Sequence, residues 1–532
     1  MYLLFIALLF ALAVTDLVVG VSNDAVNFLN SAVGSKAGSR RIILLVAALG
    51  IFAGALFSSG IMEVARKGIF NPQMFTFSEV MVIFLAVMIA DILLLDLFNT
   101  YGMPTSTTVS IVFELLGAAV ILSFVKLSKE GLPLSQITEY INTSKAGTII
   151  SGIFLSVIIA FVIGLIGQFF SRMVFSFHYK KRLKKYGGVW GGLALTILSY
   201  FLLIKGVKGA SFVSDSVNLW IENNSFLLLG LSFVLWTAVF QVLVRFTKIH
   251  ILRVIVLMGT FSLAMSFASN DLVNFIGVPL AGLESFRLWS ESGNNANLIM
   301  TGLGGQVQTP TYLLSIAGLI MVITLWRSKK ARKVTATEVN LGRQGDGSER
   351  FKSHLLAHWL VVLFTFLVKK AGALIPMKFH AEINKKYRPK SYKYKKNPPA
   401  FDLVRASVNL TLASMLISIA TLNKLPLSTT FVSFMVAMGS SLADKAWGKS
   451  AKYRIAGVIN VIGGWFLTAV VAFLVAGMFA FVIYKLGMAG VIVLLMLLTG
   501  VIFWSTRKHN REIANKKDDE ITISKPGVPT LT

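Results

Sequence analysis

Long apolar runs recur along the whole chain, and they constrain its fold more than any other feature of the sequence. A bilayer core is spanned by about 20 consecutive apolar residues in a helix, which satisfies its own backbone hydrogen bonds. The pattern predicts an all-α polytopic membrane protein with about 12–13 transmembrane segments. The predicted spans are 2–20, 42–58, 76–98, 108–126, 146–170, 188–205, 225–244, 254–275, 311–326, 402–423, 431–443, 455–484 and 487–505.

Composition and charge placement agree with a membrane protein. Charged residues make up 14% of the chain, against about 25% in soluble domains. The net charge of +27 lies mostly in short loops beside the apolar runs, for example "RMVFSFHYKKRLKKYGG". This is the pattern of cytoplasmic loops, so we expect the lipid bilayer as a partner and no nucleic acid. The absence of cysteine excludes disulfides and thiolate metal sites.

The basic loops also predict the orientation of the spans. Lys36, Arg40 and Arg41 follow the first span, which places the N-terminus outside. The segments 171–187 and 245–253 are expected inside. The chain therefore enters its first spans from outside, and it enters the span after 253 from inside.

One polar motif occurs twice within apolar surroundings. Residues 22–28 read "SNDAVNF" and residues 269–275 read "SNDLVNF", with six of seven positions identical. By the predicted orientation, the two copies are approached from opposite sides of the membrane. This arrangement indicates two inverted-topology repeats.

A second motif is duplicated in the same order. "PTSTT" at 104–108 returns as "PLSTT" at 426–430, an offset of 322 that Gly117 and Gly439 share. The greater spacing in the second half matches a basic insertion at 327–400. The predicted organisation is a first repeat, linking helices, the first part of a second repeat, the insertion, the rest of that repeat with a final helix, and a cytoplasmic tail. Their boundaries are 1–187, 188–250, 251–326, 327–400, 401–505 and 506–532.

The first motif has the chemistry of a cation site. An ionised Asp in a membrane span costs about 2.5–3.5 kcal/mol or more, so Asp24 and Asp271 must face a partner or a wet cavity. Carboxylate and amide oxygens suit Na⁺, and a carboxylate also holds a proton. In each copy the first asparagine, the aspartate and the second asparagine stand at positions i, i+1 and i+4. Because these positions cannot all line one helix face, we expect discontinuous helices here. The predicted Na⁺ ligands are Asn23, Asp24, Asn27, Asn270, Asp271 and Asn274.

The second motif has the chemistry of an anion site. Hydroxyls at a helix start, beside free N–H groups and the positive end of the helix dipole, attract anions. Two such starts, in re-entrant hairpins, would clamp a tetrahedral oxyanion at the midplane. The aspartates would accept a hydrogen bond from a protonated oxyanion, which favours phosphate over sulfate. The predicted phosphate ligands are Ser106, Thr107, Thr108, Ser428, Thr429, Thr430, Asp24 and Asp271.

The paired motifs resemble those of the PiT family of inorganic phosphate transporters, over most of residues 1–185 and 254–480. The resemblance implies phosphate uptake by Na⁺ or H⁺ symport across a plasma membrane, here a bacterial inner membrane, by a homodimer. It implies no enzymatic activity, no catalytic residues and no cofactor beyond the coupling ion. Family members often carry His directly after STT, whereas this chain has Val109 and Phe431. Without a group that titrates near neutrality, we expect Na⁺ rather than H⁺.

Three other functions fit parts of the pattern: transport of sulfate or another oxyanion, an anion channel, and a membrane enzyme acting on phosphorylated lipids. Three further acids, Asp91, Asp96 and Glu114, are not duplicated and form either a proton or cation path or ordinary ion pairs. His354 and His358 lie one helical turn apart without further ligands. The apolar run 355–368 is predicted to be an amphipathic helix resting on the inner membrane surface.

Overall fold

The computed structural model describes the membrane-embedded body of the chain. It covers residues 2–56, 58, 68–201, 214–295, 297–304, 310–345, 398–423, 425 and 427–523, with nine further residues between 352 and 387. The amphipathic helix predicted at 355–368 falls largely outside the described residues, and so does His354.

The regular elements of the described residues are helical. Single-turn helices apart, they are α1 (Tyr2–Asp24), α2 (Val26–Ser35), α3 (Arg40–Leu56), α4 (Phe77–Tyr101), α5 (Thr107–Glu130), α6 (Thr143–Val174), α7 (Lys180–Phe201), α8 (Asp215–Asn223), α9 (Ser225–Phe246), α10 (Ile251–Glu291), α11 (Thr311–Arg327), α12 (Lys330–Leu341), α13 (Leu403–Leu422), α14 (Thr429–Ala443), α15 (Ala451–Leu486) and α16 (Met488–Ile523).

The predicted all-α membrane fold is confirmed, because each of the thirteen predicted spans lies largely on one of these helices. Among the described residues, nine helices are long and apolar enough to cross a bilayer, with α1 and α2 counted together. The two shortest predicted spans, 311–326 and 431–443, become α11 and α14, of 17 and 15 residues. The helix α10 is much longer than its predicted span, with 41 residues.

Two helical hairpins place both copies of the serine–threonine motif at their tips. The first hairpin is α4 and α5, and the second is α13 and α14. Gly102 ends α4 in the left-handed conformation, with φ 64°, and the chain reverses before Thr107. Because Pro104 lacks an N–H and disfavours helix at the preceding residue, the tip cannot continue α4.

The second arm of each hairpin packs on a long helix that follows the other hairpin: α5 on α15, and α14 on α6. Glycines at equivalent positions allow both contacts. A Cβ atom at Gly117 would lie 2.0 Å from the carbonyl oxygen of Phe473, and one at Gly439 would lie 2.1 Å from that of Phe161. The two glycines that share the offset of the duplicated motifs therefore have the same packing role.

The helices that carry the aspartates do not unwind, so the prediction of discontinuous helices at these motifs is wrong. The helix α10 runs through Asp271 without interruption. Between α1 and α2 only Ala25 departs from the helix, and it keeps helical angles (φ −55°, ψ −26°) and donates to Val21 O at 3.0 Å. The discontinuity predicted for the fold lies in the hairpin tips instead.

Buried ion pairs hold the second hairpin at the end opposite its tip. Arg172 on α6 contacts Asp402, before α13, at 2.8 Å and Asp444, after α14, at 2.5 Å. Burial raises the pKa of Asp402, but the charges and hydrogen bonds of Arg172 and Arg405 together outweigh this effect, and the pKa lies below its ordinary value. Both ends of the hairpin are thereby tied to one helix.

The first part of the basic insertion is packed into the body. A bend of 71° separates α11 from α12, and α12 lies against α2 and α4. Lys330 on α12 pairs with Asp96 on α4 at 2.5 Å. The insertion therefore begins as a structural element of the fold.

Candidate functional site

The two aspartates and the four threonines of the duplicated motifs meet in one closed ring of hydrogen bonds. On the first hairpin, Thr107 donates to Asp24 at 2.9 Å and Thr108 donates to Asp271 at 3.4 Å. On the second hairpin, Thr430 donates to Asp24 at 3.1 Å, and Thr429 donates to Asp271. Each pair of adjacent threonines therefore bridges the two carboxylates.

The asparagines three residues after each aspartate complete this ring. Asn27 Nδ2 donates to the hydroxyl oxygens of Thr429 and Thr430 at 3.2 and 3.0 Å. Asn274 Nδ2 donates to those of Thr107 and Thr108 at 3.1 and 3.0 Å. Each asparagine thus contacts the hairpin that belongs to the other half of the sequence.

The asparagines directly before each aspartate contact the hairpin tips, and Asn270 Nδ2 also donates to Asp271 Oδ1 at 2.6 Å. Asn23 Nδ2 donates to Met103 O at 3.2 Å, and its Oδ1 accepts from Thr105 N at 2.9 Å. Asn270 Nδ2 donates to Leu427 O at 2.8 Å. Both side chains hold the tip of their own hairpin, which explains how residues i, i+1 and i+4 share an unbroken helix.

The serines of the motif cap the hairpin helices. Ser106 Oγ accepts from Val109 N at 3.2 Å, and Ser428 Oγ accepts from Phe431 N at 3.1 Å. The first intrahelical bond of α5 comes from Ser110 N, so the N–H groups of Thr107 and Thr108 lack intrahelical acceptors. The hairpins thus present helix N-termini at the ring, as the sequence predicted.

The ring lies in the interior of the protein. Asp24 and Asp271 are fully buried, and the ring's threonines and asparagines are at most 2% exposed. Among the described residues, hydroxyl and amide groups donate to the two carboxylates, and no Lys or Arg pairs with either. Two buried carboxylates at one place require a compensating positive charge or a proton.

Sequence reasoning missed two side chains of the site. Ser433 donates to Asn27 Oδ1 at 3.3 Å. Asn99 Oδ1 accepts a hydrogen bond from Asn23 Nδ2 at 2.9 Å, and Asn99 Nδ2 donates to Val19 O at 2.8 Å. Neither residue belongs to a duplicated motif. Only their short distance along the chain from the motifs could have pointed to them; Ser433, for example, lies one helical turn after Thr429.

The unduplicated acids divide into two groups. Asp96 forms the ion pair with Lys330, so for this residue the ion-pair interpretation holds. Asp91 and Glu114 are fully buried, and so is Asp16, an acid in the first span that sequence reasoning did not single out. Glu114 accepts from Ser110 at 2.7 Å. A proton or cation path through Asp91 and Glu114 stays a prediction.

Comparisons with known proteins agree with this architecture. The model of the phosphate transporter family matches residues 20–336, more than half of the 532 residues. A Pyrococcus abyssi protein named "Putative phosphate permease" is 27% identical over 317 residues, which cover 57% of this chain and 69% of the relative. A Bacillus subtilis protein named "Probable low-affinity inorganic phosphate transporter" is 29% identical over 154 residues, 29% of this chain and 41% of the relative.

A solved structure shares the fold. "The sodium-dependent phosphate transporter" superposes with a TM-score of 0.61 at 16% identity, over 91% of this chain and 99% of that chain. The matched family region includes Asp24, the first hairpin and Asp271, three of the four segments that form the ring. On this evidence the chain belongs to the phosphate transporter family, whose members are transporters and not enzymes.

Proposed function

We propose that this protein transports inorganic phosphate through the membrane by symport with Na⁺, using the ring of aspartates and threonines as its site. The supporting observation is that adjacent threonines on two separate hairpins bridge the same two carboxylates. Phosphate would be held by Thr107, Thr108, Thr429 and Thr430 with the N–H groups of the two helix starts. Ser106 and Ser428 would support it as caps.

The hydrogen bonds suggest how the two substrates are coupled. A threonine hydroxyl has one proton to donate, and in the ring all four protons go to carboxylate oxygens. Phosphate oxygens need those same protons. A Na⁺ bound by Asp24 and Asp271 would occupy the carboxylate lone pairs, so that the hydroxyls can rotate toward phosphate.

The two ligands would therefore assist each other. Each would raise the affinity for the other by the same factor, with a typical range of about 5–150-fold. The cation shell would consist of the two carboxylates with amide oxygens from Asn27 and Asn274. Asn23 and Asn270, which hold the hairpin tips, would act as positioning residues and not as direct ligands.

Na⁺ is preferred to H⁺ because of the residues after each STT. Val109 and Phe431 are fully buried, and Phe431 stacks on Trp465 with ring centroids 3.9 Å apart. These positions provide packing and no group that titrates near neutral pH. The structural relative is sodium-dependent by name, which supports the same choice.

Alternating access would follow from inverted repeats. The reciprocal packing of α5 on α15 and α14 on α6, with equivalent glycines, supports a pseudo-twofold relation between the halves. In the described structure the ring is buried on all sides, so transport requires the halves to move apart on one side at a time. We place the protein in a plasma membrane, as a homodimer.

Uptake of labelled phosphate into proteoliposomes tests the proposal, with Na⁺ and proton gradients imposed separately. We expect uptake to follow an inward Na⁺ gradient at equal pH on both sides. Uptake driven by the proton gradient alone would contradict Na⁺ coupling, and uptake indifferent to both gradients would indicate a channel. Strong competition by excess unlabelled sulfate would contradict selectivity for phosphate.

A further inference from the structure

A pocket of about 420 Å³ is lined by three basic residues, Lys36, Arg40 and Arg332, and by none of the aspartates or threonines of the ring. Its first wall comes from α2, the start of α3 and the turn between them. Its second wall comes from the end of α11 and one face of α12. The volume lies in the range of small-molecule sites.

Two arginines face this pocket from its opposite walls. Arg40 begins α3 and Arg332 lies on α12; the pKa of Arg40 is lowered first by burial and then by repulsion from the like charge of Arg332. Among the described residues that line the pocket, none is acidic. Guanidinium groups match phosphate oxygens in a bidentate geometry, so a phosphate ester between them would remove the repulsion.

The rest of the lining is mainly apolar. Leu29 and Val33 on α2, Leu44 on α3 and Leu325 on α11 form the walls. The outer face of α3 continues this surface, since Leu45 is 53% exposed. A free phosphate ion would gain nothing from such walls, whereas a phospholipid carries an anionic headgroup and acyl chains together.

We propose that this pocket binds an anionic glycerophospholipid from the adjacent leaflet. Its phosphate would lie between Arg40 and Arg332, and an acyl chain would run along Leu29, Val33 and Leu44 toward the bilayer. Basic pockets between membrane helices on the cytoplasmic side recognise lipid headgroups in this way.

The helix α12, which forms one wall of the pocket, and the bend before it also contact residues close to the ring and to the first hairpin tip. Ser328, at the bend before α12, donates to Ser22, two residues before Asp24, at 2.8 Å. On the far side of α12, Thr337 donates to Gly102 O at 2.9 Å and Lys333 donates to Thr100 O at 2.6 Å. A lipid that holds α12 in place would therefore stabilise the first hairpin tip in the described arrangement.

Native mass spectrometry of the detergent-purified full chain tests the site, titrated with phosphatidylglycerol or phosphatidylcholine. We expect the wild type to retain phosphatidylglycerol in preference. Arg40→Gln with Arg332→Gln should weaken retention about 25-fold, because each basic residue near an anionic lipid contributes about fivefold. The matched control is Arg245→Gln with Lys248→Gln, which neutralises two exposed cations outside the pocket lining and should keep wild-type retention.

Equal retention of the two lipids by the wild type would overturn the proposal, even if the double variant did not fold. Equal loss in the pocket and control variants would also overturn it, since that outcome indicates a general charge effect. Displacement of phosphatidylglycerol by millimolar inorganic phosphate would assign the arginines to a soluble anion. The readout is lipid mass, so its outcome is independent of whether the chain transports phosphate.

Discussion

Substitution of Gly439 by alanine tests how the second hairpin is held. The new Cβ atom would lie 2.1 Å from the Phe161 carbonyl oxygen and 2.9 Å from Leu165 N. Both are backbone atoms and cannot rotate away. To restore an ordinary contact of 3.4 Å, α14 and α6 must separate by roughly 1.3 Å, beyond the ~0.5 Å within which a functional constellation must be held.

Overpacking of this kind costs about 1–3 kcal/mol. Alanine offsets up to about 1 kcal/mol of this through its higher helix propensity, so a net loss of about 1–2 kcal/mol is expected. Because α14 begins at Thr429, a shift of the helix also displaces two hydroxyls of the ring. A misplacement of ~1 Å reduces a positioned site by up to about a hundredfold, and we expect at least a tenfold fall in initial phosphate uptake.

The assay combines a melting temperature in detergent with initial uptake rates in proteoliposomes. Gly117→Ala should produce the same two losses, because its Cβ would meet Phe473 O at 2.0 Å. Gly500→Ala is the matched control: it lies in α16 with open space around it, and it should leave uptake unchanged. Wild-type uptake and melting temperature in Gly439→Ala would refute this account of hairpin packing.

Three further predictions follow from the site and its supports. Asp24→Asn and Asp271→Asn should each abolish Na⁺-stimulated phosphate uptake in correctly inserted protein; near-normal transport in either would contradict the proposed cation site. Ser428→Ala removes a helix cap worth about 1 kcal/mol and should raise the KM for phosphate more than that for Na⁺; an unchanged phosphate KM would count against it. Asp402→Asn should lower the melting temperature most at neutral pH, with the difference from wild type shrinking below about pH 4. The sign follows because the lowered pKa of Asp402 stabilises the fold above the unfolded-state pKa, and protonation removes that contribution; a constant difference across pH would contradict it.

The duplication explains why so much of the site is foreseeable from the sequence. A residue pattern that occurs twice, in the same order, marks equivalent places in two halves. Thr107 with Thr108, and Thr429 with Thr430, therefore belong together before any contact is known. The helix starts at Thr107 and Thr429 follow from local rules of capping and proline placement.

The rotation of side chains around the helices does not follow from the sequence. Asn23 and Asn27 look alike in the motif, yet one braces its own hairpin and the other contacts the opposite hairpin. Their separation by four residues along the nearly continuous path of α1 and α2 allows both roles, and only the packed partners decide between them. The same holds for Asp96, whose partner Lys330 lies 234 residues away, beyond any local pattern.

Hydroxyl groups in place of arginines give the ring a property that coupled transport requires. A buried polar group without a partner costs about 1–3 kcal/mol, so both the empty and the loaded site must satisfy their donors. A threonine hydroxyl can turn its proton from Asp24 toward phosphate while still accepting from Asn27 or Asn274. An arginine would offer its protons to the anion in every state and slow its release. In the proposed mechanism the carboxylates would then be the only groups that need the cation, which would make phosphate binding dependent on Na⁺.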